Sequence, residues 1–240
     1  MEYSFSDLWY WLILIAVCSY FIGCFNFAVL ISKCKHKDVR KMGSGNPGTM
    51  NMTREFGLGI GALTLLCDAL KGGVPLLICH FVFRGSVFAG TQIAVSDFMR
   101  YYAGFFVIIG HIYPVTMHFK GGKGIASTIG IIVFGLSVEV WWAIFPILFV
   151  YGISIIAYIA LTEWGSMGSL YAVSVGMVVQ GIVYWVRYQD CLSNGWVIGM
   201  LLLLFAFCAV TWFAHRANIA RLLSGEEHHT TVIKKKKKDA

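Results

Sequence analysis

Seven stretches of this chain are apolar over lengths approaching the roughly 20 residues that a helix needs to cross a bilayer core of about 30 Å. They fall near 8–31, 57–83, 99–117, 125–138, 140–161, 167–186 and 195–214, the fourth being short. Inside a bilayer every backbone N–H and C=O has to be paired within the protein, so helices are the economical reading of such runs. The expected fold is therefore an all-α integral membrane protein with about seven transmembrane helices. The composition agrees, because 58% of the 240 residues are hydrophobic and only 13% are charged, against about 25% charged in soluble domains.

The first run follows Glu2 and Asp7, lacks a basic leader and has no small-residue cleavage pattern, so a retained helix is expected. The seven cysteines (Cys18, Cys24, Cys34, Cys67, Cys79, Cys191, Cys208) are scattered with no C-x-x-C pair. They read as small apolar fillers, with no metal site. A net charge of +7 could suggest nucleic acid, but five of the cations are the run Lys234 to Lys238. A membrane-surface or tail role is the better reading, and no nucleic-acid partner is expected. Residues 1–227 then form a single membrane domain, and 228–240 a basic, disordered tail.

Orientation follows from the basic residues. With the N-terminus outside, the inner segments hold Lys33, Lys35, Lys37, Arg40, Lys41, Arg54, Lys120, Lys123, Arg216, Arg221 and Lys234 to Lys238, and the outer ones hold only Arg84, Arg100 and Arg187. The positive-inside rule then puts the C-terminus in the cytoplasm. It also puts every glycine-rich or polar cluster inside: 41–57, 119–124, 162–169 and 213–227.

The first cluster, Gly43-Ser44-Gly45-Asn46-Pro47-Gly48-Thr49-Met50-Asn51, cannot face lipid with its backbone groups unpaired. Its glycines allow consecutive N–H groups to converge on an anion, and Arg54 can clamp a phosphate or carboxylate bidentately. A capped interhelical turn would have the same composition. In the second cluster, Gly110-His111 precedes Phe119-Lys120-Gly121-Gly122-Lys123-Gly124. Its two lysines sit where a helix opens, which suits anion binding but equally suits a loop that only fixes topology. His111 reads as a hydrogen-bonded packing residue. Asp68 and Lys71 lie within a span at i, i+3, and read as a structural ion pair anchoring a bend at Gly72-Gly73-Val74-Pro75. Beyond the seventh span, His215, Asn218 and Arg221 or Arg216 fall on adjacent faces of a helix, with Gly225 and Glu227 following. Ser166 and Ser169 read as cap or turn residues.

Taken in order, these motifs resemble the bacterial membrane glycerol-3-phosphate acyltransferases that use acyl phosphate as donor. Ser44, Gly45, Asn46, Gly48, Asn51 and Arg54 fit that family's S-G-N-x-G-A-T-N element and following arginine, with Thr49-Met50 in place of Ala-Thr. Asp68 to Gly72 fits D-x-x-K-G, and Gly110-His111 through Lys123-Gly124 fits the glycine-lysine motif. His215, Asn218, Ile219, Arg221, Leu222, Gly225 and Glu227 fit H-x-x-N-I-x-R-L with a later G-x-E. The serine loop 162–169 is also similar, with Glu163 where an arginine is often found. The resemblance covers about residues 8–227 and not the tail.

What the resemblance implies is transfer of an acyl group from acyl phosphate to the 1-hydroxyl of glycerol 3-phosphate, giving lysophosphatidic acid and phosphate without a cofactor. It further implies a multi-pass protein of the bacterial inner membrane, surrounded by membrane lipids, with its active site at the cytoplasmic face and a functional link to the enzyme that makes acyl phosphate. Ser44, Lys123 and His215 are the implied catalytic residues. The implied binding residues are Ser44, Gly45, Asn46, Gly48, Arg54, Lys120, Gly121, Gly122, Lys123, Ser166, His215 and Asn218, with Asp68, Lys71, Arg221 and Glu227 in support. A transporter for phosphorylated solutes is the rival class, but no internal repeat is visible and the polar clusters gather at one face.

Overall fold

The computed structural model describes residues 1–227 and 229, so the predicted basic tail lies outside the described residues apart from His229. The described chain is almost wholly helical: α1 (Phe5–Cys24), α2 (Phe27–Cys34), α3 (Thr49–Phe56), α4 (Leu58–Val82), α5 (Val95–Ile112), α6 (Ile125–Glu139), α7 (Ile144–Thr162), α8 (Gly165–Arg187), α9 (Gly195–Ala214) and α10 (Arg216–Leu223). Strands β1 (Glu2–Tyr3) and β2 (Val87–Phe88) pair in parallel. Among the described residues, five segments are both long and apolar enough to span a membrane: 5–34, α4, 145–162, α8 and α9. At fifteen residues α6 is shorter, and α5 carries Asp97, Arg100 and His111. Helix α5 tolerates those groups because it sits inside the bundle, against α1, α4, α6 and α9, with thirteen of its eighteen residues buried.

Small residues let the helices approach, as membrane packing requires. Where α1 crosses α5, a Cβ on Gly23 would collide with the carbonyl of Val107, and one on Gly110 with that of Tyr20. Gly72 and Gly130 do the same for α4 against α6. The 72–75 segment does not interrupt α4, which runs through it with Pro75 inside the helix, and its glycines serve packing.

The first apolar run is split, where the sequence suggested one helix. α1 ends at Cys24, and the Asn26 side chain caps α2 by accepting from Val29 N at 2.9 Å. Carbonyls freed at the break are taken by Lys71 of α4, whose ammonium donates to Phe25 O at 2.5 Å and Gly23 O at 3.4 Å. Lys71 also pairs with Asp68 at 2.9 Å and contacts His111 Nδ1 at 2.8 Å. The expected ion pair exists, and it ties three helices together.

The end of the bundle away from the glycine-rich loops holds a network that the sequence reading missed. Arg100 was expected in an outer loop but is buried on α5, where it pairs with Asp97 and with Glu139 of α6. Arg187 of α8 pairs with the same two carboxylates, and the Tyr184 and Tyr188 hydroxyls donate to the Asp97 carbonyl and carboxylate, each at 2.7 Å.

Candidate active site

The loop before α3 is organised by one buried amide. Asn51 donates from Nδ2 to Val39 O at 3.2 Å and Met42 O at 3.0 Å, while its Oδ1 accepts from Ser44 N at 3.1 Å. Asn26 reaches the same loop through Pro47 O at 3.1 Å. Gly45, in the left-handed region at φ +69°, closes a turn by donating to Met42 O, a conformation glycine adopts without strain. Gly48 N donates to Asn46 O. The N–H groups of Ser44, Gly45 and Gly48 are thus consumed within the loop. The N–H groups of Thr49, Met50 and Asn51, the first turn of α3, have no acceptor inside the helix and are open.

The loop before α6 departs from the anion-cradle expectation in a similar way. Gly121 N donates to Ile112 O and Gly122 N to His111 O, both at 3.1 Å. A Cβ at either glycine would strike His111, so these residues pack the loop onto α5 and do not face the cavity. Lys120 is exposed and stays outside, as does Gly45. Lys123 is brought in, with its ammonium hydrogen-bonded to Asn218 Oδ1.

The third wall comes from the junction of α9 and α10. His215 sits between them, and i, i+3 spacing carries Asn218 and Arg221 onto the same side. Glu227 accepts from Asn218 Nδ2 at 2.7 Å and from Arg221 Nε at 2.8 Å, and also from Ser166 on the first turn of α8. These bonds outweigh the burial that would otherwise raise its carboxyl, and hold it below the ordinary value. Arg216 points elsewhere, against its own Phe213 ring.

These walls enclose a cavity of about 350 Å³. Of the residues singled out from sequence, Ser44, Asn46, Gly48, Arg54, Asp68, Lys123, Ser166, His215, Asn218, Arg221 and Glu227 border it. Its opposite half is apolar, formed by Leu65 of α4, Ile125 and Ile129 of α6, Ile155 and Ile159 of α7, and Gly168 and Ala172 of α8. Sequence reasoning did not identify this half, and it read the bordering His111 as a packing residue and Ser169 as a cap or turn residue; Thr49 and Met50 of the first cluster also border the cavity, the Thr49 Oγ1 being buried without a hydrogen-bond partner. Asn51, quoted only as a motif letter, gave no sign that it staples the loop.

Electrostatically, the polar half favours an anion. Arg221 is matched by Glu227, but Lys123 and Arg54 pair with no carboxylate among the described residues. Burial lowers the Lys123 ammonium below its ordinary value; Arg221 pushes the same way, Glu227 opposes, and Arg54 adds to the lowering. A bound anion would relieve that repulsion. His215 is pushed down to about 4, first by burial, with its bond to Thr211 O opposing and Lys123 lowering it further. Its imidazole is thus neutral near pH 7. Among the described residues no group of three or more His, Cys, Asp or Glu is placed to hold a metal ion.

A family model described as glycerol-3-phosphate acyltransferase matches residues 13–225. The chain is 38% identical to the glycerol-3-phosphate acyltransferase of Thermotoga petrophila, over 89% of this chain and 94% of that one. It is 35% identical to that of Bartonella henselae, over 89% of each. Among solved structures it is similar to PlsY, an integral membrane glycerol 3-phosphate acyltransferase, in its glycerol 3-phosphate form (TM-score 0.69, 29% identity, 91% of this chain and 94% of that one). The lysophosphatidic acid form gives a TM-score of 0.67 at 30% identity, with the same coverage.

Proposed function

The chain belongs to the glycerol-3-phosphate acyltransferase family, and from that premise we propose that it transfers an acyl group from acyl phosphate to the 1-hydroxyl of glycerol 3-phosphate, releasing lysophosphatidic acid and inorganic phosphate. The observation that carries this reading is the two-sided cavity. One side offers Arg54, Lys123, Asn218 and the open N–H groups of α3, and the other is lined mainly by aliphatic side chains. Such a site suits two phosphorylated substrates, one with a hydrocarbon tail.

Arg54 and Asn218 hold glycerol 3-phosphate. Ser44, Lys123 and the first turn of α3 hold the phosphate of the donor, where a helix N-terminus favours negative charge. The hydroxyl attacks the acyl carbonyl, and the tetrahedral oxyanion needs donors already in position, which these N–H groups and Lys123 provide. The carbon–oxygen bond to phosphate then breaks. Phosphate is a good leaving group, so a covalent enzyme intermediate is unnecessary and Ser44 acts as a donor of hydrogen bonds. His215 offers Nε2 to the attacking hydroxyl and orients it. With its conjugate acid near 4, it is a weaker base than a phosphate whose second pKa is about 6. The departing phosphate therefore takes the proton, and positioning supplies most of the rate.

The cavity faces the cytoplasm in this reading, because the loops around it carry most of the basic residues. Glycerol 3-phosphate arrives there from water and the donor from the lipid of the bacterial inner membrane, where an acyl-phosphate-forming enzyme supplies it.

The test is purified protein with acyl phosphate and radiolabelled glycerol 3-phosphate, following lysophosphatidic acid and phosphate in equal amounts. Product from acyl-CoA or acyl carrier protein but from no acyl phosphate would overturn the donor assignment. A trapped acyl-Ser44 adduct would overturn the direct transfer.

A further inference from the structure

The apolar lining of the cavity forms a slot of limited depth. Its walls reach as far as Ile129 on α6, Ile155 on α7 and Ala172 on α8, and no farther. One turn beyond Ile155, Tyr151 donates its hydroxyl to the Ala172 carbonyl oxygen at 2.5 Å, joining α7 to α8 across the end of the slot. One turn beyond Ala172, the missing side chain of Gly176 admits Ile132, so α6 and α8 meet beneath the same point. Helix α7 is otherwise loosely held: no residue of its apolar window is buried, and its main neighbour is α8. The tyrosine bond is thus a principal tie fixing where this wall stands.

We propose that the Tyr151–Ala172 tie is the stop that sets the acyl-chain length the protein accepts. This inference rests on the acyl-phosphate reading of the cavity. Between Gly165 and Ala172, α8 rises about 10 Å, less than the ~15 Å of one leaflet's hydrocarbon. A chain shorter than the slot leaves part of the wall without contacts. A longer one meets the Tyr151 ring and has to turn out toward lipid. Because the donor's tail leaves one apolar medium for another, fit and not hydrophobicity decides the preference.

The experiment is a kcat/KM series for straight-chain acyl phosphates from decanoyl to stearoyl, on the purified full chain. The wild type should show a maximum at one length. Tyr151→Ala opens the end and should move that maximum to longer chains, with the long-to-short ratio rising by about tenfold. Ala172→Val adds bulk on the other side of the same point and should move it to shorter chains. Tyr151→Phe keeps the ring but loses the tie, and should broaden the maximum without moving it. Superimposable profiles in active variants would overturn the proposal. If Tyr151→Ala does not fold, the opposite shift in Ala172→Val still decides. Absence of turnover at every length in folded wild type would defeat the acyl-phosphate reading itself, and this inference with it.

Discussion

His215 Nδ1 lies 2.9 Å from the carbonyl oxygen of Thr211, one turn earlier on α9. A carbonyl can only accept, so Nδ1 carries the proton of the neutral ring and Nε2 keeps its lone pair. Burial holds the conjugate acid near 4. Between about 4 and 6.5 the folded protein therefore binds fewer protons at this site than the unfolded chain. Its contribution to stability falls as pH drops through that window and levels off below it. If the departing phosphate takes the proton, the acid limb of kcat/KM follows the donor, near 6. A pH–rate profile from 3 to 8 checks this, and a limb near 4 would make His215 the base.

Replacing the ring separates orientation from bulk. His215→Ala should lower kcat by about 10²-fold or more, because nothing then aligns the hydroxyl. His215→Gln keeps an acceptor near the position of Nε2 and should recover part of that loss. Steady-state kinetics on both variants, with the unfolding midpoint measured in the same detergent, distinguishes alignment from collapse. Equal activity of the two variants would remove the acceptor role.

Much of the polar wall was legible because it obeys local rules. His215, Asn218 and Arg221 follow helical spacing, and Lys123 stands where a helix opens. Other features depend on distant partners. Arg100 read as a loop cation because Glu139, which neutralises it, is thirty-nine residues away. Gly121 and Gly122 read as an anion cradle because composition alone cannot separate a glycine that presents its N–H from one that makes room for another backbone. The acyl slot was invisible for a deeper reason. Membrane helices are apolar on lipid-facing and protein-facing sides alike, so no periodicity marks Ile129, Ile155 or Ala172 as cavity wall.

The Lys71 network gives a stability prediction with a built-in control. Lys71→Met leaves the Asp68 carboxylate buried without its partner, and the carbonyls at the α1 break without a donor. The expected loss is about 3–5 kcal/mol. Adding Asp68→Asn removes the stranded charge, so the double variant should unfold later than Lys71→Met alone. Thermal unfolding in detergent reads both. A double variant no better than the single one would show that the carbonyl bonds, and not the ion pair, carry the effect.

Asn51 is expected to matter through the loop it staples. Asn51→Ala deletes three hydrogen bonds, to Val39, Met42 and Ser44, at about 1 kcal/mol each. Loop 39–48 should then become sensitive to protease, and KM for the donor should rise because Ser44 is no longer held. Limited proteolysis with kinetics checks the pair of effects. Loss of activity with a protected loop would point to a direct contact with substrate instead.

Arg54 should behave in the opposite manner, changing binding without changing the fold. Its side chain is exposed at the cavity and pairs with no carboxylate among the described residues, so Arg54→Ala should leave the unfolding midpoint where it is. Two charge-assisted hydrogen bonds to a phosphate are worth about 3 kcal/mol together, which corresponds to a rise of roughly 10²-fold in KM for glycerol 3-phosphate. Arg54→Lys keeps the charge but loses the planar fork, so it should recover only a small part of the affinity. The salt dependence of KM should weaken in the alanine variant and persist in the lysine variant, since screening acts on the charge. An unchanged KM for glycerol 3-phosphate in Arg54→Ala, with KM for the donor raised instead, would exchange the two phosphate assignments within the same cavity.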